Sequence, residues 1–183
     1  MSITLSPIAF PTDRDALVQF LTSNAFPFHV RTWLSVAEVH ERIASGRFAA
    51  PDHEAFWIDT AAGDRVGCIV LDDLTDATAM FDLRLATEFR GQGLGVPILR
   101  AMTRHVFTQW PETHRFEGDT REDNIAMRRT FVRAGFVKEA HYREGWPVDG
   151  GRPLAAVAYA ILRRDWEAGT TTTFEWDDLA EGR

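Results

Sequence analysis

The sequence predicts an α/β (α+β) domain with a mixed, mostly antiparallel central sheet of about six to seven strands, flanked by about four helices. Three observations predict it. Two amphipathic helical stretches open the chain. Three strand-period segments then follow one another with no helix between them, which demands a meander. The remainder runs helix, strand, helix, strand, strand. Of the 183 residues, 45% are apolar, and 13 Phe and 6 Trp supply enough bulk for one packed core, which excludes a disordered chain.

Each element has a local reason. Ile3 to Ile8 is short enough for an edge strand. Thr12, with Asp15 three residues on, reads as a capping box ahead of Ala16, Leu17, Phe20 and Leu21 on one face. Ser35 and Glu38 repeat the device ahead of Val36, Val39 and Ile43, and Gly46 stops that helix. Between the two, Asn24 to Trp33 is aromatic and irregular. Ala55 to Asp59 and Arg65 to Leu71 are strands joined by a turn at Ala62-Gly63-Asp64, and Thr78 to Leu85 is a third. Leu94 to Phe107 is helical, with Pro97 tolerated in its first turn. His114 to Gly118 is a short strand. Asp123 to Ala134 is a helix closed by Gly135, and Phe136 to Tyr142 and Leu154 to Leu162 are the last strands. Residues 1–166 read as one domain and 167–183 as a polar tail, which Phe174 and Trp176 would tack to the body.

Composition narrows the function classes. A net charge of −7, from 27 acidic against 20 basic residues, argues against broad nucleic-acid binding and favours cationic partners. The longest apolar run, Leu154 to Leu162, is about half of the roughly 20 residues a spanning helix needs, so no membrane association is expected. The chain reaches Pro11-Thr12-Asp13-Arg14 without a basic-then-apolar leader, and its single Cys68 forms no internal pair. Both features point to the cytoplasm. No Cys/His spacing suits a metal, so none is expected.

The informative stretch is Leu83-Arg84-Leu85-Ala86-Thr87-Glu88-Phe89-Arg90-Gly91-Gln92-Gly93-Leu94-Gly95, where a strand runs into a glycine-rich turn that opens a helix. Such a turn aims backbone N–H groups and the positive end of the helix dipole at one spot, which suits a pyrophosphate. No Lys-Ser/Thr follows the glycines, so it is not a Walker A loop. Val96 stands where a dinucleotide fingerprint wants its third glycine, and a meander rather than a βαβ unit precedes it. A glycine-rich connector without a ligand is the plainer reading of the glycines alone.

Arg90-x-x-Gly93-x-Gly95 resembles the acetyl-CoA signature Q/R-x-x-G-x-G/A of the GNAT superfamily of N-acetyltransferases. Asn124, with Gly135-Phe136 eleven residues on, resembles the family's N-x(10)-G-F segment. Tyr142-Arg143-Glu144-Gly145-Trp146 and the closing Ala158 to Trp166 resemble the RimJ/RimL-type subgroup. The resemblance covers about residues 3–166 and implies a GNAT-like sheet with acetyl-CoA as co-substrate. It implies that the Leu83, Arg84 and Leu85 backbone pairs with the pantetheine arm. It implies too that Arg90, Gly91, Gln92, Gly93, Leu94 and Gly95 hold the pyrophosphate. Asn124 and Met127 would meet the pantetheine, and Arg128 or Arg129 the 3′-phosphate end. Asn124 as a plain helix cap, and the arginines as a solvated face, are the alternatives.

The departures are informative. The position where relatives often carry a Tyr acid is Phe131, which the resemblance also implies as a cofactor-binding residue, and a Ser common in RimL-like members is Met127 here. The third strand offers Asp82, which either faces solvent or serves the reaction. Tyr142 is the other phenol considered as a proton donor. Cys68, within the apolar Val66 to Leu71, reads as a core thiol. The acceptor amine, a protein N-terminus or a small molecule, would lie between Phe26 to Trp33, the second helix and the loop Tyr142 to Pro153. Expected function is therefore acetyl transfer to a primary amine by direct attack in a ternary complex. A catalytically weak acyl-CoA-binding or regulatory module is the main rival, and a nucleotide enzyme the third. Many relatives are dimers, so a homodimer is among the expected assemblies.

Overall fold

The computed structural model describes residues 2–176. Its strands are β1 (Ile3–Pro7), the two-residue β2 (Ala49–Ala50), β3 (His53–Thr60), β4 (Arg65–Asp72), β5 (Thr78–Leu85), β6 (Arg115–Arg121), β7 (Val137–Trp146) and β8 (Leu154–Leu162). Its helices are α1 (Arg14–Ser23), α2 (Val36–Ala44), α3 (Gly95–Gln109), α4 (Ile125–Ala134) and α5 (Arg163–Ala168). One sheet runs in the order β1-β3-β4-β5-β6-β8-β7, with β2 paired to β3. Every pairing is antiparallel except β5–β6. The expected fold class is the observed one.

The sheet separates two cores because side chains alternate across it. On one face Val66, Ile69 and Leu71 pack with Ile98, Leu99, Met102 and Val106 of α3 and Phe131 of α4. On the other, Trp57, Cys68 and Val70 meet Leu17 and Leu21 of α1 and Val39 of α2. Gly95 carries the α3–α4 contact: a Cβ there would lie 2.8 Å from Thr130 Cγ2.

Two local expectations need correction. Ser35 and Glu38 form the full capping box on α2, but Thr12 does not cap α1. The N-cap of α1 is Asp13, whose carboxylate instead accepts from the Ala9 N–H at 2.8 Å, so the preceding turn consumes it. The segment after Leu162 forms α5, a six-residue helix too short to show a helical period. It straddles the expected boundary at residue 166. Beyond it Asp165 accepts from the Thr172 N–H and hydroxyl at 2.8 and 2.7 Å, and Lys138 Nζ sits 4.9 Å over the Trp176 ring. The rest of the expected tail, 177–183, and Met1 lie outside the described residues.

Candidate active site

The site begins as a defect in the sheet. β5 keeps register with β4 from Gly67–Leu85 to Asp72–Met80, but with β6 only from Thr78–Arg115 to Met80–Glu117. Beyond Met80 the two parallel strands part. The Ala86 N–H donates to the Val66 carbonyl at 2.9 Å, and bonded positions alternate along an antiparallel pair. Arg84 and Asp82 therefore turn their main chains to β4, while Phe81, Leu83 and Leu85 turn theirs into the opening. Arg90 already covers the Leu85 carbonyl, donating from Nε at 3.0 Å and from a terminal nitrogen at 2.7 Å. The Leu83 main chain is left facing a cleft of about 530 Å³.

The glycine turn stands at the end of β5. A 3-10 turn (Thr87–Phe89) leads to Arg90, and Gly91 and Gly93 take φ values of +74° and +78°. No side chain caps α3, whose N-cap is Leu94, and its Pro97 has no N–H to offer. The N–H groups of the first turn are thus available to an anion, backed by a 15-residue helix. The Gln92 amide donates to the Glu88 carbonyl at 2.6 Å and stiffens the turn. The Arg90 side chain is a brace: it bridges the Leu85 and Ala25 carbonyls beneath Phe26, and burial pushes its guanidinium pKa down.

Across the opening, Asn124 does two things at once. Its Oδ1 accepts from the Met127 N–H at 3.2 Å, capping α4, and its Nδ2 donates to Thr120 Oγ1 at 3.0 Å, while the residue lines the cleft. Met127 lines it too. Arg128 does not: it is tied to the Glu122 carbonyl (2.7 Å) and Tyr159 hydroxyl (3.3 Å), and borders a separate hollow of about 370 Å³ on α4 with Arg129. Phe131 has no exposed surface. It stacks flat on Tyr159, centroids 4.7 Å apart, so as a direct cofactor contact it is displaced from the cleft and acts as a support behind Phe81.

The charged wall of the cleft lies on the α1–α2 face. Asp82 accepts from His29 Nε2 at 3.0 Å and from Arg84 at 3.0 and 3.3 Å. Burial alone would raise its carboxyl pKa, but the Arg84 guanidinium and the His29 bond outweigh it and hold the group well below the ordinary carboxylate range. Asp82 is thus a fixed counter-ion and a poor proton acceptor. Tyr142 is 56% exposed on β7 and does not line the cleft; the aromatic that reaches it from that strand is Trp146. Burial pushes the Cys68 thiol up to about 12, which excludes it as a nucleophile near neutrality.

Sequence reasoning missed Asp119, Arg42 and Arg47, all lining the cleft. On β6, Phe116 and Gly118 face the α3–α4 core, so Asp119 points the other way. Asp119 is exposed, and the protein around it together with the Glu117 charge pushes its carboxyl pKa up. No single-strand pattern announces it, because the cleft exists only once β5 and β6 diverge. A wider hollow of about 750 Å³, lined by Glu122, His141, Arg143, Glu144 and Arg152, lies over β7–β8, and none of the glycine-turn or β5 groups reaches it.

The family model for the acetyltransferase (GNAT) domain matches residues 2–137. Among solved structures, the spermidine N-acetyltransferase from Vibrio cholerae in complex with CoA and spermine is similar at 18% identity. Its TM-score is 0.77, and the match covers 91% of this chain and 98% of that one. The spermidine/spermine N-acetyltransferase SpeG from the same organism with manganese ions gives 18% identity, a TM-score of 0.73 and coverages of 92% and 96%. A probable acetyltransferase gives 23%, 0.71, and coverages of 90% and 95%.

Proposed function

The chain belongs to the GNAT acetyltransferase family, and from that premise we propose an acetyl-CoA-dependent N-acetyltransferase acting on a primary amine in a ternary complex. The carrying observation is the parting of β5 from β6 beyond Met80, next to uncapped N–H groups at the start of α3. A pantetheine arm fits as the missing strand beside Leu83 and Leu85, since the Leu83 main chain needs a partner there while Arg90 already covers the Leu85 carbonyl. A pyrophosphate fits the turn from Gly91 to Gly95, whose positive-φ glycines leave open space where a Cβ would stand at 91 and 93. Asn124 and Met127 border the arm's path, and Arg128 or Arg129 serves the outer phosphate from the α4 hollow. The RimJ/RimL-type subgroup is our finer placement, resting on the Tyr142 to Trp146 and Ala158 to Trp166 segments. A single domain over 1–166 and a cytoplasmic setting are proposed with it; no helix among the described residues is long and apolar enough to cross a membrane.

Bound acetyl-CoA supplies a thioester carbonyl: the amine nitrogen forms the new C–N bond, the C–S bond breaks, and the thiolate takes up a proton. The chain's own work is positioning and proton handling. The acceptor ammonium must first lose a proton. Asp119 is suited to receive it, directly or through water, because among the described residues no cation lies within ion-pair distance of it. Asp82, committed to Arg84 and His29, orients the α1–α2 loop instead. With Phe131 buried and Tyr142 exposed, the thiolate is protonated from solvent.

Release of free CoA thiol from acetyl-CoA with a panel of primary amines tests the reading, with mass spectrometry of the acetylated product. Turnover with at least one amine is expected, and it should fall at least tenfold in Asp119→Asn. Tight CoA binding with no acetylated product across the panel would instead leave an acyl-CoA-binding module.

A further inference from the structure

Resting on the acetyltransferase reading above, we infer that the acceptor is an amine carrying a carboxylate, held by an arginine wall formed by Arg42, Arg84 and Arg47. Four arginines line the cleft against two aspartates, in a chain whose overall charge is −7. Asp72 and Glu38, just outside the lining, pair with two of those arginines, so what decides the contact is where the unpaired groups stand and not the total charge.

The pairing of these groups leaves a remainder. Asp72 takes Arg47 in a two-pronged contact, and Asp82 takes Arg84 and His29. Arg31 reaches Glu38 at 3.8 Å, near solvent. Arg42 has no carboxylate within ion-pair distance and no acceptor for its guanidinium among the described residues. It is half-buried, and burial together with the neighbouring Arg84 and Arg47 charges pushes its pKa down. Arg84 is 7% exposed, and one of its terminal nitrogens is buried without a partner. Of the three, Arg84 and Arg47 already hold carboxylates and Arg42 holds none, so an arriving anion is stabilised chiefly by Arg42, with the other two guanidinium groups close behind it. Guanidinium also matches a carboxylate in a planar, two-bond geometry.

The opposite wall completes the match. Asp119 faces the cleft from β6 without a cation of its own, and it receives the ammonium end. An acceptor with both charges therefore spans the cleft in one orientation. A polyamine would satisfy Asp119 and set its further cations against Arg42 and Arg84. The likeness to spermidine acetyltransferases is one of fold, and this wall distinguishes the acceptor.

The test uses the full chain at saturating acetyl-CoA, comparing kcat/KM for free glutamate, glutamine α-amide (which has no carboxylate), spermidine and the peptide amides Glu-Ala-Ala and Gln-Ala-Ala. Each acidic amine is expected to exceed its neutral partner at least tenfold, mainly through KM, and spermidine to be the poorest. Whether glutamate or the Glu peptide is preferred separates a free amino acid from a peptide N-terminus. Arg42→Gln should reduce the acid-to-neutral ratio at least tenfold and Arg42→Lys should restore part of it, while 0.5 M salt lowers the ratio in the unsubstituted chain. Turnover with spermidine preferred, or an unchanged ratio in Arg42→Gln, would overturn this inference and leave acetyl transfer standing. CoA binding without turnover of any amine would overturn the acetyltransferase reading itself.

Discussion

Two glycines two residues apart should fail in different ways when each becomes alanine. Gly93 has φ +78° and nothing within 4 Å of a built Cβ. Its alanine variant therefore meets no clash and bears only left-handed backbone strain, about 1–2 kcal/mol. For a chain of this size that lowers Tm by about 2–8 °C. If the turn relaxes toward negative φ, its N–H groups swing away from their common focus, and CoA affinity should fall at least about tenfold, or 1.4 kcal/mol. Gly95 has an ordinary φ, but its Cβ would stand 2.8 Å from Thr130 Cγ2 and 3.0 Å from Thr130 Oγ1. Gly95→Ala thus overpacks the α3–α4 contact, costing about 1–3 kcal/mol. Adding Thr130→Ala removes both crowding atoms and should recover most of it. Calorimetric CoA titration and thermal melts on the unsubstituted chain, the three single variants and the Gly95→Ala/Thr130→Ala pair check the scheme. A folded Gly93→Ala with unchanged CoA affinity would refute the assignment of this turn to the pyrophosphate. Absence of coupling between Gly95→Ala and Thr130→Ala would refute the packing argument.

Asn124→Ser should keep Tm within about 1 °C, since Ser caps a helix nearly as well. CoA binding should weaken in calorimetry, because the shorter side chain gives up its place on the cleft wall. Phe131→Tyr places a hydroxyl among Phe81, Phe136 and Tyr159 in a fully buried site, and should cost about 1–3 kcal/mol in urea unfolding if it finds no partner. Asp82→Asn leaves the buried Arg84 charge uncompensated and should cost about 3–5 kcal/mol. The unsubstituted Asp82 has a lower pKa folded than unfolded. Its contribution is therefore complete above the ordinary carboxylate value near 4 and is lost as pH falls below it, so the Asn variant should show a flatter acid limb of Tm against pH.

Much of this was readable from spacing alone, and what was not has a physical reason. The meander, the Ser35–Glu38 box, and Gly135 at φ +97° closing α4 are local devices whose residues are neighbours in sequence. The glycine turn is local as well, so its geometry at the end of β5, positive-φ glycines leading into an uncapped helix, could be anticipated. The divergence of β5 and β6 could not, because it depends on a register between strands about 35 residues apart. Arg42, Arg47 and Asp119 become cleft residues only through that divergence. Tyr142 attracted notice as a phenol beside a loop; alternation alone would put it on the same face as Trp146, but the β7–β8 register shifts between the two, and Trp146 is the one that lines the cleft.

The same divergence explains why a phenylalanine can occupy the place of a proton donor. Gly118 has no Cβ, and the Phe81 ring occupies that space, a built Cβ lying 2.5 Å from its edge. Phe81 in turn rests on Phe116 and Phe131, centroids 5.1 and 6.0 Å away, and Phe131 on Phe136 and Tyr159. This aromatic stack lies beneath the opening between β5 and β6 on the α3–α4 side, so the cleft is open chiefly toward the α1–α2 side where the arginines stand. A hydroxyl at 131 would have to replace apolar contact within the stack that supports the opening. Phe131 thus contributes to the geometry of the unpaired β5 edge. In the reaction proposed above, the proton chemistry falls to groups on the other face, where among the described cleft residues Asp119 has no cation partner and Asp82 has Arg84 and His29.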